Sequence, residues 1–202
     1  MKKALNKSSL DRIAAEIGFM LCDVPNAIYR ATADKISKCK NADELKQQNL
    51  ALNDVSKYIS TEKYNFLIEK IMKIVNPLED VKRMPSRQFS ELKERPKKLD
   101  AKEYEREVNK ALGILIEDGL FAYSIWLESE NKEPHRVMQT MSLTLLKDSE
   151  IGLIKDSTDL RNGILKEIST SIDKTLFARQ LLERMLIYAM YRAKALQKGE
   201  TE

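Results

Sequence analysis

The chain has 202 residues, is 43% hydrophobic and 33% charged, and carries a formal net charge of +4 with six Gly, five Pro and two Cys. That length buries one sizeable core or two small ones without a disulfide or metal. Its apolar stretches, such as residues 112–116 and 186–191, fall far short of the roughly 20 residues that span a bilayer.

Lys, Leu, Glu, Ala and Ile dominate the composition, and most of these lose little rotamer freedom in a helix. The expected fold is all-α, a compact bundle of seven to eight helices, with no period-two strand signal. The segment Met1-Lys2-Lys3-Ala4-Leu5-Asn6-Lys7 is charged but precedes no uninterrupted apolar core, so no secretory signal is expected and a cytoplasmic location follows. Cys22 and Cys39 lack CxxC spacing and read as reduced, ordinary side chains.

In chain order, Ser8 or Ser9 opens a first helix with Ile13, Ile17, Met20 and Leu21 on its buried side. Short side-chain oxygens there can accept the unpaired first-turn amides. Pro25 should end or kink it. A second helix follows, near residues 25–39, presenting Ile28, Ala31 and Ile36. Asn41 supplies the cap of a third, over about residues 42–59, with Leu45, Leu52 and Val55. Thr61 caps a fourth, where Tyr64, Leu67, Ile68, Ile71, Met72 and Val75 form one stripe. Asn76-Pro77 ends it.

Residues 77–100 carry Pro77, Pro85 and Pro96 and read as a long connection, with a short helix around residues 86–94. Beyond it, Tyr104, Val108, Ala111, Leu115, Gly119, Ala122 and Trp126 keep helical spacing. Gly119 is either a close-packing point in one helix or a break between two. Pro134 suits the first turn of the next helix, whose apolar positions are Val137, Met141, Leu145 and Leu146. Another starts near Ser157 or Asp159 and uses Leu160, Ile164, Leu165 and Ile168. The last, over residues 171–198, buries Ala178, Leu181, Leu182, Met185, Ala189, Ala193 and Leu196. The organisation expected is therefore an N-terminal helical part, 1–76, a basic connection, 77–100, and a C-terminal bundle, 101–202, integrated with the N-terminal helices.

Catalytic chemistry has little to stand on. His135 is the single histidine, without a second His or Cys at ligand spacing, and reads as a surface or helix-end residue. The acid pairs Glu117-Asp118, Glu103/Glu107 and Asp156/Asp159 could hold magnesium with retained waters, but each also suits a solvated helix face or cap. No Gly-rich phosphate loop occurs. Phe121, Tyr123 and Trp126 read as packing residues rather than a base-stacking platform. No catalytic residue, metal ligand or cofactor is assigned.

Basic residues remain as the functional signal. Residues 1–100 hold 20 Lys/Arg against 14 Asp/Glu, whereas residues 101–202 hold 15 against 17. Within residues 82–98, Lys82, Arg83, Arg87, Lys93, Arg95, Lys97 and Lys98 face only Glu91 and Glu94. Arg83, Arg87, Arg95, Lys97 and Lys98 are candidates to engage an RNA backbone by charge and bidentate geometry. On the last helix Arg184 and Arg192 share a face, while Arg179, Lys194 and Lys198 lie on neighbouring ones; Arg184, Arg192 and Lys194 complete the candidate contact set.

Two segments are more specific. In residues 108–129, an apolar helix with Leu112, Ile114, Leu115 and Ile116 runs into Gly119-Leu120 and then an aliphatic-aromatic helix with Phe121, Tyr123, Ile125, Trp126 and Leu127. This resembles the central pattern of the small helical subunit of Cmr-type, type III-B CRISPR effector complexes. Residues 181–196, with Leu181-Leu182-Glu183-Arg184-Met185-Leu186 and Tyr191-Arg192-Ala193-Lys194, resemble that family's closing helix. Arg12 followed by Ala14 and Ala15 makes a third match.

The resemblance implies a non-catalytic subunit that stacks with copies of itself into a short filament beside the other subunits. It would line the channel holding crRNA and target RNA, touching RNA backbone through basic side chains and its neighbours through apolar helix faces, with no membrane role. The alternative is a helical protein-protein interaction adaptor without nucleic acid. An enzyme with a carboxylate-metal site is a third class, requiring three or more acids to converge.

Overall fold

The computed structural model describes residues 7–59, 62–85, 88–95 and 97–199. All regular elements among them are helical. They form two compact units, one of Met1–Cys22 with Ala101–Glu202 and the other of Asp23–Asp100.

Helix α1, Lys7–Lys38, contributes to both units and contains Pro25. Of the end or kink expected at Pro25, the end does not occur: α1 continues through it. An interior proline costs about 3 kcal/mol, but Ile17, Leu21, Val24, Ala27, Ile28 and Ala31 are all essentially inaccessible to solvent. Burying several such side chains, at about 1.5–3 kcal/mol for each larger one, outweighs one lost backbone hydrogen bond.

The Asp23–Asp100 unit is built from short pieces. Asn41 caps α2, Ala42–Lys46, its side chain accepting the Glu44 amide at 2.8 Å. The helix expected to reach residue 59 stops early, because Asp54 accepts the Ala51 amide at 2.9 Å and starts α3, Leu52–Val55, afresh. A 3-10 turn, Glu62–Tyr64, leads into α4, Asn65–Ile74; the Thr61 cap lies outside the described residues. In α4, Leu67, Ile68 and Ile71 are buried, as the stripe requires.

Val75 closes α4, and Asn76 caps a new helix, accepting the Glu79 amide at 3.3 Å to open α5, Pro77–Lys82. Helix α6, Phe89–Glu94, follows. The 77–100 segment is thus tied into a core in which Leu78, Val81 and Phe89 join Ile36, Cys39 and Leu45. These short helices are why eleven α-helical segments occur among the described residues instead of seven or eight.

The other unit is organised around α7, Ala101–Glu117, against which α11, Ile172–Gly199, packs along much of its length. Helix α8, Gly119–Glu130, and α9, Glu133–Lys147, complete the centre. Gly119 resolves as a break, with φ of 90°, a left-handed conformation that glycine adopts without a Cβ penalty. Asn131 closes α8 in the left-handed region, at φ 44°. Pro134 sits in the first turn of α9.

Asp159 caps α10, Leu160–Gly163, by accepting the Asn162 amide at 2.8 Å. The helix then widens into a π-helical stretch, Ile164–Ile168. Leu160, Ile164 and Ile168 are buried, whereas Leu165, expected inside, is 53% exposed because the wider turn faces it outward. The first part of α1 meets α11 closely: a Cβ on Gly18 would lie 2.4 Å from the Met185 carbonyl oxygen. Phe19 and Tyr188 meet edge to face at 5.7 Å, and the Cys22 thiol donates to the Ala189 carbonyl.

Candidate nucleic-acid interface

Sixteen Lys/Arg stand against twelve Asp/Glu in Asp23–Asp100, and nineteen against nineteen in the other unit. The entire net charge of the chain therefore belongs to the unit of short helices. Arg83 is the C-cap of α5 and Arg95 that of α6. Both are exposed, as are Lys97 and Lys98. None of these four pairs with a carboxylate among the described residues, so their charge is open to an external anion. Arg87 lies outside the described residues.

Three further cations join this set. The Lys93 ammonium donates to the Cys39 carbonyl at 3.0 Å, which sets the end of α6 beside the C-terminus of α1, where Lys38 and Lys40 are exposed. Sequence reading missed this convergence, since Lys38 and Lys93 are far apart in the chain. Phe89 and Leu92, one turn apart on α6 and packed on the Ile36–Cys39–Leu45 cluster, were the available signal for it.

A cavity of about 270 Å³ in the same unit is lined by Lys35, Lys38 and Lys57 and equally by Asp34, Glu44 and Asp54. Lys35 pairs with Asp54 at 2.9 Å, and the Tyr58 hydroxyl donates to Asp34. Burial pushes the Asp54 carboxyl up, but the Ala51 amide and Lys35 together hold it below its ordinary range. Balanced in this way, the cavity has no excess charge for a phosphate. Cys39 lies on its wall; burial pushes its thiol up, and Glu44 adds to that, so it lacks the depressed pKa of a reactive cysteine.

The candidate cations of α11 are placed differently. Arg184 bonds Asp11 at 2.5 Å, and Lys194 lies 3.6 Å from Glu105. Arg192 is half-buried. Arg179 bonds Glu183 at 2.8 Å and donates to the Ile116 carbonyl at 2.8 Å. Here positive charge ties α11 to α1 and α7.

Two polar residues expected at the surface are buried. His135 is 0% exposed and Glu107 1%, with His135 Nε2 3.4 Å from Glu107 Oε2. The first turn of α9 enters the core beside α7 and α8, and the imidazole meets Trp126 edge to face at 4.4 Å. Arg106 and Lys110 reach Glu107 from the solvent side, at 3.1 and 3.4 Å. Burial pushes the Glu107 carboxyl up, yet Arg106, Lys110 and Lys132 hold it below its usual value. Burial lowers the His135 pKa, against the pull of Glu107. Neither ring nitrogen has a hydrogen-bond partner.

Among the described residues no three His, Cys, Asp or Glu side chains gather where they could hold a metal ion. Asp159 acts as a helix cap, while Glu117, Asp118 and Asp156 are exposed. Tyr123 is buried and bonds Ser142 at 2.8 Å, and Trp126 is half-buried. Phe121, expected as packing, is exposed: with Ile125 one turn on, it faces away from the Leu120, Tyr123 and Leu127 side of α8. No helix among the described residues is long and apolar enough to cross a membrane. No family model, curated protein or solved structure matches the chain.

Proposed function

We propose that the chain is the small, non-catalytic helical subunit of a type III-B, Cmr-type CRISPR effector complex, contacting crRNA and target RNA through phosphate and stacking with neighbouring subunits through apolar helix faces. The observation that carries the RNA part is the exposure of Arg83, Arg95, Lys97 and Lys98, none paired with a carboxylate among the described residues, in the unit where Lys93 sets α6 beside the α1 C-terminus that carries Lys38 and Lys40. Cations left without carboxylates gain most from releasing the counterions of a nucleic-acid backbone. The sequence resemblance in residues 108–129 and 181–196 supplies the family; those segments form α7, the Gly119 break, α8 and much of α11.

Replacing Arg83, Arg95, Lys97 and Lys98 together by Ala tests the reading. The logarithmic salt dependence of single-stranded RNA binding should become shallower by up to about 3, at roughly 0.7 for each phosphate no longer neutralised, with the helical content unchanged. An unchanged slope would remove these residues from the interface. Purification of the native complex without crRNA would remove the family assignment.

A protein-protein adaptor is the second reading, favoured by the exposed Phe121 and Ile125 on α8 and Ile172 and Leu176 on α11. Apolar surface of this kind marks partner sites. An adaptor bound through it would hold its partner as salt rises, whereas RNA would be released.

A further inference from the structure

Phe66, in the first turn of α4, is 70% exposed. Among the described residues of the Asp23–Asp100 unit it is the one large hydrophobic side chain left so open. Leu67, Ile68 and Ile71 bury the opposite face of α4. Leaving a Phe outside forgoes about 1.5–3 kcal/mol of burial, so nothing in the folding of this unit accounts for an aromatic ring at that position.

Its neighbours are cations. Phe66, Lys70 and Lys73 follow one another at i, i+4 and i+7 and so share one face of the helix. The Lys70 ammonium lies 4.5 Å from the centre of the Phe66 ring. In the 3-10 turn just before, Lys63 lies 4.8 Å from the centre of the Tyr64 ring. Glu69 is the single carboxylate within α4.

We propose that Phe66, flanked by Lys63, Lys70 and Lys73, is a stacking platform for an unpaired base of single-stranded RNA, with the lysines on the adjoining phosphates. Resting on the RNA-binding reading above, this assigns α4 a role that the basic cluster at residues 83–98 cannot fill, because backbone charge holds no base. One strongly exposed ring among lysines does not offer the contiguous apolar area that a protein partner needs. It does match a ligand that is flat and apolar on one face and anionic along its edge, the combination by which single strands are held without sequence preference.

The test uses the whole chain and an oligoadenylate of about 12 nucleotides, within the span such sites cover, compared with an RNA duplex of equal length. Phe66→Ala should weaken oligoadenylate binding about thirtyfold, the middle of the range for removal of one base stack, with an unchanged salt slope and unchanged duplex binding. Lys70→Ala with Lys73→Ala should instead flatten the slope by about 1.4, at roughly 0.7 for each phosphate. Phe66→Trp should keep the affinity, and the fluorescence it adds to that of the wild type should be quenched by oligoadenylate.

Oligoadenylate binding that Phe66→Ala leaves intact, with an unquenched Phe66→Trp, would overturn the platform while leaving RNA binding through the 83–98 cluster in place. Equal weakening toward duplex would also overturn it. Absence of wild-type binding to either RNA would overturn both. A Phe66→Trp emission that shifts to the blue on vesicles of phosphatidylserine and phosphatidylcholine, but not on RNA, would assign the ring to a lipid surface instead.

Discussion

Glu167 accepts the amides of Lys155, Asp156 and Ser157 at 2.7, 3.4 and 2.9 Å, so one carboxylate fixes the turn that leads toward α10. Hydrogen bonds from Ser157 and Lys155 hold its pKa at about 2, below the ordinary 4.5. A depressed carboxyl contributes stability above its unfolded value and loses it as the pH falls toward the folded one. Glu167→Gln keeps an acceptor but removes the charge, and should lower stability at pH 7 by about 1–2 kcal/mol after allowance for solvent screening. Its melting temperature should also fall less than that of the wild type between pH 5 and pH 2, as calorimetry would show.

His135 acts in a higher window. Its imidazole is held below the ordinary 6.5 by burial, so as the pH drops through 6.5 the unfolded chain takes up a proton that the folded one resists. Stability is therefore complete above that value and declines beneath it. Replacing His135 with Phe, which retains the aromatic contact to Trp126, should flatten the change in melting temperature between pH 7 and pH 5. An identical profile in the two proteins would show that the imidazole stays protonated, or unprotonated, alike in both states. Neither this histidine nor Glu107 was legible as buried in sequence, because their neighbours come from three different helices.

At the scale of elements, helices with a sustained apolar stripe were readable, and most of the short ones were not. The stripes of α4, α7, α9 and α11 each repeat over several turns, and their members are buried as the spacing requires, except that Met72 and Leu196 are only partly buried. Helices of four to six residues, such as α3 and α5, offer too few turns for a period to show, whereas α6, Phe89–Glu94, falls within the short helix expected around residues 86–94. These short helices are set by single caps and by a core assembled from distant segments. At Pro25 a local rule pointed to an end or kink, and tertiary burial carried the helix through. Among the candidate cations, charge density was legible in sequence, but not which charges were already paired within the fold.

Glycines test the element boundaries separately. Gly119→Ala meets no neighbour within 4 Å but must hold φ at 90°, and should cost about 1–2 kcal/mol through the backbone alone. Gly18→Ala meets the Met185 carbonyl at 2.4 Å and should cost about 1–3 kcal/mol by forcing α1 from α11. Gly113→Ala, inside α7 with open space around it, should add about 0.5–1 kcal/mol. Urea titration of the three variants should place Gly113→Ala alone above the wild type and the other two below it.

Across the molecule, charge is unevenly divided. The balanced unit uses its arginines for internal ties, such as Arg184 to Asp11, and the Asp23–Asp100 unit holds the surplus. Arg184→Ala should therefore lower stability by up to about 1 kcal/mol and leave the salt slope of RNA binding unchanged, the reverse of the change expected from Arg83, Arg95, Lys97 and Lys98. Equilibrium unfolding and a salt titration on the same variant separate the two effects.

The unit that contains α7 and α11 is assembled from two stretches of chain interrupted by Asp23–Asp100. During synthesis, Ile13, Ile17 and Leu21 leave the ribosome long before Met185 and Ala189 exist to cover the α1 face around Gly18. Every residue of the Asp23–Asp100 unit, by contrast, is made before α7 begins. Assembly is therefore ordered by translation: the positively charged unit can form first, and the neutral one closes only when α11 arrives. For that interval the first turns of α1 form a sticky apolar strip, at its most exposed on the nascent chain. A stop codon placed before α11 should yield a product that keeps the charged unit and depends on chaperones to stay dispersed.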